Sequence, residues 1–371
     1  MRVLVATDRV GACSARRAGE ALATGWRERR PHDAIAVVPV GAAGAGGVEA
    51  YADLLGAEVS VCPAAGRIAV RATGSDTVVV GVEDPVAPGD AAAETGAGLT
   101  ELTDSSLPWG EAVAAVLADP PAADWTLVLD LGGCHAHDLG LGLLGALGAE
   151  ADAPLDRGLT AMNGLSVLDL APVRERLAGV RLVGLVPADE ASRLLLGLRG
   201  ITSARGAAAR ERGGAWDPAE LLASDATLER LAHLVDPGFV DAPGAGACGG
   251  AATAWAAVGA EVTTGPDWLA QRSGLARTMA AADLVVTGVT AYEFAHRGGE
   301  AVDAVVSMAA DALRPVVLAA GTVTISAREL RANGVEAAYA VYPGALAGTP
   351  TPVDADDLIA LGDRLARTWG P

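Results

Sequence analysis

Four glycine-rich stretches gather most of the side chains and bare amides able to do chemistry: GAAGAGG (41–47), GGCHAHDLG (132–140), PGAGACGG (243–250) and TGVTAYEFAHRGG (287–299). Glycine accepts positive φ and lets an anion approach the main chain, so each stretch could cradle a phosphate or carboxylate. Each could equally be a tight strand-to-helix turn with no ligand. Cys134, His135, His137 and Asp138 are chemically a transition-metal set, but spacings of one or two in a tight loop aim the side chains apart. No distant Cys/His pair completes four ligands. The other reading is a polar loop whose Asp caps the following helix, with His137 and Asp138 still able to touch a substrate. GxGxxG occurs at 244–249 and 140–145, but neither copy follows the first strand of a βαβ unit, so nicotinamide binding has little support. Ser-His-Asp hydrolysis lacks its GxSxG elbow.

Composition limits the chemistry further. All 27 basic residues are Arg and none is Lys, which excludes a Schiff base, a pyridoxal phosphate anchor and a P-loop lysine. Any phosphate must be held by Arg, backbone N–H groups or metal. A net charge of −19 repels nucleic acid and anionic lipid, so neither nucleic acid nor membrane is an expected partner. The four cysteines show no CxxC spacing, which fits a reducing compartment. The opening MRVLVATD is a strand's length of apolar residues without a cleavage pattern, and no run reaches the roughly 20 apolar residues of a membrane span. The expected location is cytoplasmic.

The elements that must position these loops are legible as period. VLVATD (3–8), IAVVPV (35–40), TLVLDLGG (126–133), ADLVVTG (282–288), PVVLAAG (315–321) and AAYAVYPG (337–344) are apolar on both faces, as buried parallel strands are. Ala/Leu/Arg/Glu stretches of helical period lie between them. The fold class expected is α/β, a doubly wound, mostly parallel, Rossmann-like sheet with a second, inserted α/β domain. The expected division is 1–46, 108–150 and 240–371 for the first domain, and 47–107 with 151–239 for the second. The Gly-, Ser-, Ala- and Arg-rich segment 197–214 is predicted to be a mobile loop.

These loops, in this order, resemble the glycerate kinase family over nearly the whole chain. LGGCHAHDLGLGLLGALGA (131–149) is similar without gaps to the family's LGGSATNDGGAGMLQALGA. DAPGAGACGGAATA (241–254) is similar to DVPGAGAAGGLGAA, and ADLVVTG (282–288) to ADLVITG. The resemblance implies transfer of the ATP γ-phosphate, with Mg²⁺, to glycerate or a similar small hydroxy acid. It implies catalytic roles for Asp8 and Glu293, and metal binding by Asp8 and Asp138. Substrate and phosphate contacts would fall to Arg9, Arg16, His137, Arg199 and Arg297 and to the amides of Gly132, Gly133, Gly244 and Gly246. The partners would be a small hydroxy acid, a nucleotide and, in a homodimer, a second copy of the chain.

Departures fall where the chemistry should be. The family's APDSFKGSLSA is ATDRVGACSA here, which keeps Asp8 and loses the Lys, leaving Arg9 or Arg16 to substitute. The family's TGEGRIDGQSLAGK is TGVTAYEFAHRGGE (287–300), so Glu293 stands for the Asp expected to act as base and Glu300 for a Lys. VPADEASRLLLGLRGITSARGAA (186–208) keeps Arg199 and Gly200 but lacks the family's PQKG. Two readings stay open: a phosphotransferase, intact or impaired, and a non-catalytic homologue acting as ligand sensor or protein partner.

Overall fold

The structure, a computed structural model, describes residues 1–44, 46–83, 102, 104–211, 217–294, 297–346 and 352–370. In chain order the strands are β1 (Arg2–Thr7), β2 (Ala34–Pro39), β3 (Glu58–Ala64), β4 (Arg67–Thr73), β5 (Thr77–Glu83) and β6 (Thr126–Asp130). They continue with β7 (Glu150–Ala151), β8 (Leu168–Asp169), β9 (Arg181–Val186), β10 (Glu261–Thr264), β11 (Leu284–Tyr292), β12 (Val316–Val323) and β13 (Ala337–Ala340). The chain divides into two units, residues 1–42, 49–57 and 265–371, and residues 43–48 and 58–264. No helix among the described residues is long and apolar enough to cross a membrane.

The sheet of the first unit runs β13-β12-β11-β1-β2, and every pair is parallel. Its strands lack polar alternation because both faces are covered. Val3 and Val5 pack with Leu22, Trp26, Leu358 and Leu361 on one side. Leu4 and Ala6 pack with Leu275, Met279 and Val305 on the other. The strand order reverses between β1 and β11, which makes the carboxyl ends of these two strands the topological switch point of the sheet.

On the first of these faces, helices Ala15–Arg29 and Ala355–Trp369 touch through reciprocal glycines. A Cβ on Gly25 would overlap the carbonyl oxygen of Ile359, and one on Gly362 the carbonyl oxygen of Leu22. The obstacle is backbone in both cases, so neither neighbour can rotate away.

The sheet of the second unit runs β10-β9-β6-β5-β4-β3, parallel from β10 to β5 and antiparallel from β5 to β3. Strands β7 and β8 form a small antiparallel pair of their own. Leu127 and Leu129 of β6 are enclosed with Trp109, Leu143 and Trp255. The two indole N–H groups are satisfied in place, Trp109 donating to the carbonyl of Asp130 (3.0 Å) and Trp255 to that of Val183 (3.1 Å).

Two expectations are corrected here. TLVLDLGG was placed in the first sheet, but β6 pairs with β5 and β9, so 108–150 and 240–264 belong to the second unit. A parallel strand buried on both faces looks the same in either sheet, so periodicity cannot assign it. The segment predicted to be mobile at 197–214 holds the helix Ile201–Glu211, with Ile201 and Thr202 buried. Its Ala and Arg content favours helix once Ile201 has a core to enter. Residues 212–216 of that expectation lie outside the described residues.

Gly25→Ala tests the helix contact. Helix propensity alone would make it stabilising by about 1 kcal/mol. Overpacking against a fixed carbonyl is the larger effect, and a net loss of about 1–2 kcal/mol is expected as a lower denaturation midpoint at unchanged m-value. An unchanged or raised midpoint would show that the helices do not meet there.

Candidate functional site

The switch point of the first unit carries Asp8 and Arg9 on the loop that leaves β1. That loop is stitched to its neighbours by its own backbone. Asp8 N–H donates to the carbonyl of Gly288 (3.1 Å), Gly11 N–H to Thr290 Oγ1 (2.9 Å) and Ala12 N–H to the carbonyl of Val353 (3.1 Å). The half-buried Asp8 carboxylate accepts from Arg9 N–H at 2.6 Å. Burial pushes its pKa up, and the amide and charge of Arg9 pull it back down.

Glu293 follows β11 and is half-buried, and its carbonyl accepts from Arg297 N–H (2.8 Å). Arg297 is exposed at φ 44°, and its charge acts on Asp303 and Glu329. Arg16 is committed elsewhere, its N–H donating to Asp53 Oδ2 (3.0 Å) and its guanidinium to the Asp53 carbonyl. The 287–299 loop and Asp8 thus share one sheet, whereas 132–140 and 243–250 belong to the other unit.

In the second unit two of the amides expected to cradle an anion, those of Gly132 and Gly246, already hold acceptors. Asp130 accepts from Gly132 N–H (2.9 Å) and, with both oxygens, from Gly44 N–H (2.9 and 3.1 Å). Glu83 accepts from Gly46 N–H (3.2 Å), and the carbonyl of Arg193 from Gly246 N–H (2.9 Å). Gly132 and Gly246 thus spend their amides on contacts between loops in this structure. Gly133 and Gly244 also sit against backbone, where a Cβ would come within 2.8 Å of the Val82 carbonyl and 2.7 Å of the Ala191 carbonyl. Arg199 is exposed in the loop that follows β9.

Asp138 is fully buried and held by five hydrogen bonds. It accepts from Ser106 N–H (2.7 Å), Ser106 Oγ (2.9 Å), Ser105 Oγ (3.3 Å), Gly140 N–H (2.9 Å) and Gly142 N–H (3.2 Å). Its role is to hold the start of helix Leu141–Ala146 against that of Leu107–Leu117, and the carboxylate is fully buried, with four donors on Oδ2 and one on Oδ1. Among the described residues no group of three or more His, Cys, Asp or Glu side chains could hold a metal. Burial keeps the thiols of Cys134 and Cys248 protonated, the former pushed up to about 12.

His137 is buried with Nε2 3.1 Å from Thr202 Oγ1 and Nδ1 3.2 Å from Arg205 Nη1. A guanidinium has only donors, so Nδ1 accepts, Nε2–H donates to Thr202 and the ring is neutral. Burial and the Arg205 charge hold its pKa well below the ordinary 6.5. Arg205 also donates to the carbonyl of Ala136 (3.1 Å), and the charges of Glu190 and Asp138 act on it. Sequence reasoning missed Arg205, since its partners come from loops far away in the chain. The one available signal was its place in TSARGAA, where the family's PQKG is missing.

A parallel sheet covered on both faces, with Asp8 and Arg9 at its switch point, defines an α/β protein of the doubly wound class. The chain belongs to the glycerate kinase family, which matches residues 3–369. It is 30% identical over 363 residues to an uncharacterized protein of Mycobacterium bovis, covering 93% of this chain and 86% of that one. It is 25% identical over 248 residues to the glycerate kinase of Bacillus subtilis, covering 64% and 62% respectively. A crystal structure assigned as glycerate kinase 2 from Salmonella typhimurium LT2 superposes with a TM-score of 0.76 at 21% identity, covering 99% and 98%, and shares the fold.

The buried His137 sets a pH dependence. Above pH 6.5 the ring is neutral folded and unfolded, and contributes no slope. Below it the unfolded chain binds a proton that the folded chain refuses, so stability falls as pH falls, by up to about 1.4 kcal/mol per unit. Urea unfolding across this acidic range should show a shallower slope for His137→Gln than for the parent chain. Equal slopes would mean that the ring protonates in the folded state.

Proposed function

We propose that this protein transfers the γ-phosphoryl group of ATP to a hydroxyl of glycerate or a similar small hydroxy acid in the cytoplasm. Family membership supports the reaction class, and the observation that carries the assignment is Asp8 at the β1/β11 switch point with Arg9 beside it. Phosphoryl transfer depends on positioning and charge neutralisation more than on covalent chemistry by the protein. Mg²⁺ takes one or two carboxylates together with substrate phosphates, a donor set that half-buried Asp8 fits better than fully buried Asp138. When bound, the metal neutralises phosphate charge. Arg9 supplies the second positive charge, and Glu293 accepts the proton of the attacking hydroxyl.

A non-catalytic reading is favoured by one further set of observations. The chain has no Lys, and its own carboxylates Asp130, Glu83 and Glu190 hold loop amides that a phosphate would otherwise use.

Calorimetry with ATP·Mg and a coupled glycerate assay separate the two. The proposal expects binding heat and turnover, with Asp8→Asn and Glu293→Gln each lowering kcat by about 100-fold or more. An unchanged rate in Glu293→Gln would place the base elsewhere. Neither heat nor turnover at high ligand would leave the non-catalytic reading standing.

A further inference from the structure

We propose that Thr290 is a positioning residue for the phosphoryl transfer assigned above, its hydroxyl bridging the main chain of Arg9 and Gly11 and so setting the pose in which the switch-point loop presents Asp8 and Arg9. Its role rests on that reading of the site. Thr290 acts through the loop and not on the reacting atoms.

Between the end of β1 at Thr7 and the helix that begins at Ala15, residues 8–14 form neither helix nor strand. Asp8 N–H on the Gly288 carbonyl fixes the start of this loop, and Val10 and Cys13, both buried, exchange two backbone hydrogen bonds (3.1 and 3.0 Å). Thr290 supplies the remaining tie. Its Oγ1 accepts from Gly11 N–H (2.9 Å) and donates to the Arg9 carbonyl (3.4 Å). A hydroxyl has one donor and two acceptor sites, so a single side chain can serve both groups at once. The Arg9 main chain is then held at both ends, because its N–H already donates to Asp8 Oδ1 (2.6 Å). Both candidate side chains therefore leave from a stretch of backbone whose direction Thr290 sets.

The far side of the loop is closed by packing. Gly11 stands at φ 59°, and a Cβ there would overlap the Val353 carbonyl oxygen at 2.5 Å. Val353 is buried, and its carbonyl accepts from Ala12 N–H (3.1 Å). Thr290 has no room to retreat either, since a Cβ on Gly321 of β12 would come within 2.5 Å of the Thr290 carbonyl oxygen. The loop is confined between Val353 and Thr290, and the hydroxyl sets where in that gap it rests.

The threonine is exposed, so water competes for its hydroxyl and global stability owes it little. Catalysis is the more sensitive readout, because a misplacement of about 1 Å can cost on the order of 100-fold in rate. The family's TGEGRIDGQSLAGK has glycine at this place, with no hydroxyl to offer, so the bridge is a feature of this chain.

The test compares the parent chain with Thr290→Val and Thr290→Ser. Valine keeps the shape and β-branching and removes the hydroxyl, whereas serine keeps the hydroxyl. Amide hydrogen exchange without ligand reads the loop, and the coupled assay with ATP·Mg and glycerate reads kcat and KM. Thr290→Val should exchange several-fold faster at Gly11 and lose about 10-fold in kcat, with the denaturation midpoint and the KM for glycerate close to the parent's. Thr290→Ser should return both exchange and kcat toward the parent's values. Unchanged exchange at Gly11 in Thr290→Val overturns the proposal, as does faster exchange with kcat unmoved or a loss of kcat that Thr290→Ser shares. If Thr290→Val does not fold, Thr290→Ala removes the same hydroxyl without adding bulk and is read in the same way. A parent chain with neither binding heat nor turnover overturns the phosphotransfer reading and the positioning role with it. That failure shows in the parent, whereas failure of the Thr290 role alone shows only in variants of an active parent.

Discussion

A backbone N–H withdrawn from water needs an acceptor, and leaving it without one costs about 1–3 kcal/mol. The glycine-rich turns of the second unit withdraw many such groups at once, because close chain contact is what their glycines permit. Gly132, for example, packs its Cα against the backbone of Ala43 and Gly44. The fold answers with carboxylates: Asp130 for Gly44 and Gly132, Glu83 for Gly46, Asp138 for Ser106, Gly140 and Gly142, and Glu190 for Cys248. The two buried carboxylates, Asp130 and Asp138, are tolerated in turn because each is met by several donors. Anion and amide stabilise each other inside the protein, so loops with the composition of phosphate cradles are here largely self-satisfied.

The first unit solves the same problem differently. Its switch-point loop satisfies its amides with the Gly288 and Val353 carbonyls and with Thr290, so Asp8 is not consumed as a structural acceptor beyond the Arg9 amide. A half-buried carboxylate whose pKa is already raised gains from an added cation nearby, whereas Asp138 would have to release donors to take one. This difference in prior commitment, more than residue type, separates the two aspartates that sequence alone treated as equivalent.

What could be read from the sequence follows the range of the forces involved. The buried parallel strands β1, β11 and β12 were legible because burial on both faces leaves a local signature in VLVATD, ADLVVTG and PVVLAAG. The sheet to which β6 belongs was not, since pairing with β5 and β9 is non-local and the run itself is equally apolar in either place. Helix Ile201–Glu211 was hidden by its Gly and Ser content, and its tertiary burial overrode weak propensity. The helix-capping role of Asp138 was visible as one of two readings, because capping is a contact over a few residues. Arg205 was invisible, because its partners at 136, 137 and 190 meet it only in the fold.

The absence of lysine sharpens where positive charge can act. A guanidinium carries five donors, and in this chain many are spent on carbonyl groups at helix and loop ends. Arg230 holds the carbonyls of Met162, Asn163 and Leu165, Arg174 that of Ala257, Arg314 that of Ala280 and Arg364 that of Ala340. Arg29 and Arg367 share Asp363. The number of arginines therefore overstates the capacity to bind phosphate, since a guanidinium that must abandon a carbonyl to reach a ligand gives back part of what it gains. Arg9, exposed on the switch-point loop beside Asp8, is an arginine whose surroundings leave an anion something to gain.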